Sequence, residues 1–89
     1  MDTDPVLSEL RERVAGTDRR LLEAVNDRLE LVRRIREHKR ARGVDFVDPD
    51  QERQLVAERQ RENAGPLSDA GVEELLRAVL DLVKRELER

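Results

Sequence analysis

The sequence has no cysteine, a single histidine (His38) and only two serines, Ser8 and Ser68. Without cysteine the chain can form no disulfide and has no thiol nucleophile. One histidine is too few for a multi-histidine metal site. Any catalysis would therefore depend on charges and hydrogen bonds, and we expect neither a metal nor a cofactor.

Aromatic residues and long apolar runs are also scarce. Phe46 is the only aromatic residue, and no run approaches the roughly 18 apolar residues of a membrane span. No secretion signal precedes the first helical pattern, so we expect a cytoplasmic protein without a membrane partner. The 18 basic and 21 acidic residues give a net charge of −3, which disfavours a general nucleic-acid binder.

The segment from residue 7 to about residue 42 has apolar residues at steps of three, four and seven, which predicts one long amphipathic helix. These apolar residues are Leu7, Leu10, Val14, Leu21, Val25, Leu29, Val32 and Ile35. About 36 residues at roughly 1.5 Å each make a rod of about 54 Å, whereas a compact chain of this length has a radius of gyration of about 12 Å. One chain cannot cover such a helix, so a dimer or higher oligomer is expected.

Gly16 is the weak point of this helix, because a glycine within a helix costs about 1 kcal/mol relative to alanine. Thr17 or Asp18 could also cap a new helix, so two helices divided at Gly16 are the alternative. We favour continuity, since the apolar stripe resumes in register at Leu21 with no proline before it.

Gly43 is expected to end this first helix, which gives it bounds of about 5–42. Asp48 is then predicted to cap a second helix of about 49–63, with Gln51 three residues after it as in a capping box.

A break at residues 64–66 and a cap at Ser68 or Asp69 precede a third helix of about 68–88, whose apolar stripe is regular. The sequence thus predicts an all-α fold of one long, one short and one medium helix, in a single domain of residues 1–89.

Charged residues interrupt the apolar faces of the first two helices. Arg28 and Lys39 are 11 residues apart, and a rotation of about 1100° brings both to one side of the helix, about 16 Å apart along its axis. Glu52 shares a face with Leu55 and Val56. Arg28 and Lys39 together suggest a site for a small polyanion; the alternative is that each cation extends along the stripe or pairs with a glutamate.

Arg11 lies about 25 Å from Arg28 along a continuous helix, too far for one small ligand within a single chain. In an antiparallel dimer, Arg11 of the partner chain could approach the site instead. The basic run at residues 33–40 is typical of a solvated face, with a nucleic-acid-binding stripe as the functional alternative.

Three segments carry a family resemblance: LRERVAGTDRRLLEAVNDRLELVRRIREHK, VDPDQER and the helix after GPLSD. Together they resemble the all-helical chorismate mutases of the AroQ class, from about residue 7 to residue 87. The most specific parts are the spacing of Arg11, Arg28 and Lys39 and the D-P-x-x-E pattern at residues 48–52. The resemblance implies an intertwined helical homodimer with two equivalent sites, each completed by the first helix of the partner.

The resemblance also implies roles for individual residues. In such enzymes the residue matching Arg28, and the partner chain's residue matching Arg11, hold the two carboxylates of chorismate. The residue matching Lys39 hydrogen-bonds the ether oxygen and a carboxylate, and those matching Glu52 and the Asp48 backbone meet the ring hydroxyl. The product would be prephenate, the precursor of phenylalanine and tyrosine in the shikimate pathway.

This chemistry suits the residues that are present. The reaction is a unimolecular Claisen rearrangement that needs no nucleophile, metal or proton transfer. Catalysis would come from holding the substrate in its folded, reactive shape and from stabilising negative charge on the ether oxygen, with Lys39 as the expected group.

Three substrate-binding positions depart from the family pattern. Gln51 stands where many members have arginine, and Val83 where serine is common. Leu87 stands where a glutamine or glutamate donates a second hydrogen bond to the ether oxygen, and loss of one such donor costs about 2.7 to 4 kcal/mol in other enzymes. If the alignment of the third helix is off by one, the substitutes are Glu86, Glu88 and Lys84.

Two alternative functions are open, and these departures motivate the first. In the first, a mutase or a lyase acts on 4-amino-4-deoxychorismate or isochorismate. In the second, the chain is a non-catalytic helical interaction module or nucleic-acid-binding module. A chorismate mutase with a weakened site would also benefit from a partner enzyme that orders its C-terminal helix.

Overall fold

The computed structural model describes residues 4–89 and contains three α-helices. They are α1 (Pro5–Ala41), α2 (Pro49–Glu62) and α3 (Asp69–Leu87), and no strand occurs in that range. The expected all-α fold with one long, one short and one medium helix is therefore confirmed. Residues 1–3, which the predicted domain included, lie outside the described residues.

Each helix begins at a side chain that accepts hydrogen bonds from its first N–H groups, which otherwise have no partner within the helix. Asp4 accepts from Val6 at 2.9 Å, and Ser68 accepts from Gly71 at 3.0 Å. Asp48 accepts from the Gln51 N–H at 3.2 Å, but within residues 4–89 the Gln51 side chain returns no hydrogen bond to the Asp48 backbone. Only half of the expected capping box is formed, so the Gln51 side chain is not committed to the cap.

The first helix is continuous through Gly16, as expected. The Thr17 hydroxyl donates to the Arg13 carbonyl at 3.0 Å, a bond within the helix that replaces the capping role considered for this residue. The helix ends where Gly43 adopts a φ of 67° and the Val44 N–H donates to the Lys39 carbonyl at 2.9 Å.

The third helix packs against both other helices, and the buried apolar side chains are Val56, Val72 and Val83. The N-terminal half of α1 extends beyond this packing, so its large apolar side chains remain exposed: Val6, Leu7, Leu10, Val14, Leu21 and Leu22. The chain is 59 Å long with a radius of gyration of 17.1 Å, against about 12 Å for a compact domain of this size. None of the helices within residues 4–89 has the length and apolar character needed to cross a membrane.

Candidate active site

The C-terminal half of α1, the loop that follows it and the adjoining parts of α2 and α3 form a pocket of about 160 Å³. Each element contributes to its wall: Arg28, Val32, Ile35 and Lys39 from α1, Phe46, Val47 and Asp48 from the loop, Gln51, Glu52 and Leu55 from α2, and Leu80, Val83 and Lys84 from α3. The pocket therefore combines apolar walls with charged groups at a few positions, as ligand sites commonly do.

The residues from α1 follow steps of four, three and four, which place them on one face of the helix. Arg28 and Lys39 thus reach the same pocket from opposite ends of its α1 wall. The Lys39 Nζ donates to the Phe46 carbonyl oxygen at 3.1 Å, which holds this ammonium group at the loop end of the pocket. Both side chains are half-buried, so a ligand would meet them partly shielded from water.

Glu52 and Lys84 form an ion pair inside the pocket wall. The Lys84 Nζ lies 2.8 Å from Glu52 Oε2, and the Lys84 and Glu52 side chains are 31% and 20% exposed, respectively. This partial burial strengthens the pair relative to exposed ion pairs on the helix surface. Because the second carboxylate oxygen of Glu52 is not used in this pair, it can accept a hydrogen bond from a ligand.

Arg36 of α1 contacts two of the other elements around the pocket, the loop and α3. Its guanidinium lies 5.9 Å from the centre of the Phe46 ring, and it donates to the carbonyl of Leu87, the last residue of α3, at 2.8 Å. A cation at the carboxyl end of a helix is favourable because the terminal carbonyls carry partial negative charge. Arg36 thereby holds the loop and the end of α3 against α1.

The structure brings six of the eight predicted site residues to this pocket: Arg28, Lys39, Asp48, Gln51, Glu52 and Val83. Leu87 does not line the pocket, and only its backbone carbonyl takes part in a contact with α1. Arg11 lies on the exposed N-terminal half of α1, about 25 Å along the helix from Arg28. It does not reach the pocket of its own chain.

Lys84 is a charged residue of the pocket that is absent from the eight predicted site residues; the sequence offers it only as a substitute under a shifted alignment. The signal was present, because Lys84 is four residues after Leu80 and so lies on the apolar face of α3. A cation on an apolar stripe was the same signal that pointed to Arg28 and Lys39.

The charged groups of the pocket are three cations and two carboxylates: Arg28, Lys39 and Lys84 against Asp48 and Glu52. The excess of positive charge favours an anionic ligand. Across residues 4–89, no three His, Cys, Asp or Glu side chains are grouped as metal ligands would be.

Three helices around a small, cationic, partly apolar pocket define a helical protein built to bind a small organic anion. Residues 10–88 match the sequence model of the family described as chorismate mutase type II. The chain belongs to that family.

Two solved structures of a chorismate mutase from Thermus thermophilus are similar to this chain. Form I is 26% identical, with a TM-score of 0.84, and the match covers 86% of this chain and 96% of that chain. Form II is also 26% identical, with a TM-score of 0.87 and coverage of 93% and 94%. Among curated proteins, none matches the chain significantly.

Proposed function

We propose that this chain is a chorismate mutase that converts chorismate to prephenate. Membership of the chorismate mutase type II family supports this activity. The observation that carries the proposal is the pocket itself, which assembles Arg28, Lys39 and Glu52 from two helices. These are the residues whose counterparts in the family hold the substrate.

The substrate would bind through charge-assisted hydrogen bonds to its carboxylates and its ring hydroxyl. The planar guanidinium of Arg28 suits a bidentate pair with one carboxylate. Glu52, with one oxygen occupied by Lys84, would accept from the ring hydroxyl through the other. The apolar walls formed by Val32, Ile35 and Val83 would pack against the ring and exclude water.

In the reaction itself the ether C–O bond breaks while a C–C bond forms within the same molecule. No proton or group passes to the protein, so the enzyme acts by holding the reactive conformation and by stabilising charge. Negative charge grows on the ether oxygen as its bond breaks. The Lys39 ammonium, already held in position by the Phe46 carbonyl, would stabilise that charge without reorganisation.

A homodimer is the second part of the proposal. The uncovered apolar residues of the N-terminal half of α1 support it, because a patch of this kind marks an interface. Chorismate has two carboxylates, and Arg28 is suited to one of them. Arg11, about 25 Å from Arg28 within its own chain, would cross to the partner's pocket and bind the second. A molar mass of twice 10.4 kDa in solution is the expected result.

Chorismate is favoured over the analogue with an amino group in place of the ring hydroxyl. That amino group would be protonated and would meet Glu52 beside the Lys84 ammonium, so two cations would share one carboxylate. A neutral hydroxyl carries no such penalty. Isochorismate keeps a hydroxyl, and the Lys84–Glu52 pair does not discriminate against it.

The test is to incubate the purified protein with each of the three substrates and to follow their loss by absorbance, with identification of the product. We expect chorismate to be consumed fastest and prephenate to form. Arg28→Ala should abolish turnover, whereas Arg34→Ala, which removes an exposed arginine from the same helix, should retain it. Faster turnover of the amino analogue would overturn the choice of substrate.

A partner enzyme that orders the end of α3, and a cytoplasmic location, are further parts of the proposal. Lack of turnover by the chain alone, with activity restored by a second enzyme of the same pathway, would support such a partner. Lack of turnover under both conditions would count against the mutase activity. Cell fractionation tests the location.

A further inference from the structure

We propose that Lys84 is a further catalytic residue of this site, whose ammonium group donates a hydrogen bond to the ether oxygen of the substrate. It would replace the second donor that the family pattern assigns to the position of Leu87. The inference rests on the proposed mutase function and names a residue of that same site. The inference follows from the α3 residues that line the pocket, which are Leu80, Val83 and Lys84.

Leu87 cannot supply this hydrogen bond. Its side chain has no donor and does not line the pocket, and its carbonyl oxygen already accepts from Arg36 at 2.8 Å. A donor from α3 must therefore come from an earlier position on the helix. Lys84 is three residues before Leu87, almost one turn, so it lies on nearly the same face of α3, and unlike Leu87 it lines the pocket.

Lys84 is the only polar side chain that α3 contributes to the pocket within the described part of the chain. Its neighbours in the wall, Leu80 and Val83, are apolar, and Val83 is almost completely buried. The ammonium group is fixed by its contact with Glu52 at 2.8 Å rather than extended into solvent. A cation held in this way is preorganised for charge that develops during the reaction.

The chemistry of the substrate places the ether oxygen within reach of this group. The ring hydroxyl and the ether oxygen are trans on neighbouring ring carbons and point to opposite faces of the ring in the reactive conformer. The ammonium group would therefore reach the ether oxygen around the ring edge, past the carboxylate that accepts from the hydroxyl, which the flexible four-carbon stem of lysine allows. A lysine ammonium has three N–H donors, and one is sufficient for Glu52. Lys84 keeps its proton throughout, while the C–O bond breaks and the C–C bond forms within the substrate.

The competing interpretation is that Lys84 only orients Glu52 and never touches the substrate. The two interpretations differ when Glu52 is changed to glutamine, which removes the charge that Lys84 would orient. A direct contact with the ether oxygen survives that change, because the glutamine side-chain oxygen still accepts a hydrogen bond from the Lys84 ammonium, whereas an effect exerted through the Glu52 charge does not. A double-mutant cycle between the two positions therefore separates them.

The experiment compares kcat and KM for chorismate in the wild type, Lys84→Met, Lys84→Gln and Arg85→Met. Arg85→Met is the matched control, because it removes the cation at the next position of α3, which is exposed and outside the pocket. We expect kcat to fall about 100-fold in Lys84→Met, with a smaller change in KM, and to be intermediate in Lys84→Gln, which keeps an uncharged donor. Arg85→Met should match the wild type.

The same Lys84→Met change in a Glu52→Gln background should again lower kcat by a large factor. If Lys84→Met causes no further loss of kcat in the Glu52→Gln background, the direct contact is overturned. A wild-type kcat in the Lys84→Met single variant would overturn it as well. Circular dichroism checks that each variant is folded. If Lys84→Met does not fold, the kcat of Lys84→Gln decides between the two interpretations. A wild-type protein that leaves chorismate unchanged, both alone and with a second enzyme of the same pathway, refutes the proposed function and this assignment together. An active wild type with unaffected variants refutes the assignment alone.

Discussion

Replacement of Lys39 by alanine separates catalysis from stability at a single position. The Lys39 side chain is half-buried, lines the pocket and donates to the Phe46 carbonyl at 3.1 Å. Loss of a preorganised donor to a developing negative charge costs about 2.7 to 4 kcal/mol of transition-state stabilisation, a fall in kcat of about 100- to 1000-fold. Loss of the hydrogen bond to Phe46 costs only about 1 kcal/mol of stability.

The assay follows the disappearance of chorismate absorbance at saturating substrate, so that kcat is measured rather than binding. Arg40→Ala is the control, since it removes the neighbouring cation, which is exposed and outside the pocket. We expect Arg40→Ala to retain kcat and Lys39→Ala to lose it while both keep the helical circular dichroism spectrum. A folded Lys39→Ala protein with kcat close to that of the wild type would refute the role of Lys39 at the ether oxygen.

Three further variants test the helices around the site. Gly16→Ala should raise the free energy of unfolding by about 1 kcal/mol, because alanine is more favourable than glycine within a helix. The added methyl group meets only the Arg20 side chain, at 3.7 Å. A lower melting temperature would mean that another surface packs against Gly16. Leu87→Gln should leave kcat unchanged, since position 87 does not line the pocket, and a large gain would show that it does. Ser68→Ala should lower stability by about 1 kcal/mol through loss of the cap on the Gly71 N–H, which urea unfolding measures, and an unchanged midpoint would contradict it.

The helices could be predicted from the sequence because the signals that define them are local. Asp48 and Pro49 mark the start of α2 within a few residues, and the positive φ of Gly43 is a property of its own backbone position. The continuity of α1 through Gly16 could be predicted because the apolar stripe keeps the same helical phase before and after this residue. None of these features needs knowledge of the rest of the chain.

The pocket was harder to predict, because its walls meet through contacts between distant residues. Arg28 and Lys39 share one helix, so rotation per residue was enough to place them together. The pairing of Lys84 with Glu52 joins α3 to α2 and depends on how the helices pack. Alignment with the family pattern directed attention to Leu87, whereas the structure places Lys84 in the pocket wall instead.

The composite site is tested most directly by mixing two inactive variants, Arg11→Ala and Arg28→Ala, after each has been unfolded and the two are refolded together. A mixed dimer has one site with both arginines and one with neither, so random pairing should restore about a quarter of the wild-type chorismate mutase activity. Each variant refolded alone should stay inactive. If Arg11 acts within its own chain, every site in the mixture lacks one arginine, and the absence of any recovered activity would contradict the shared site.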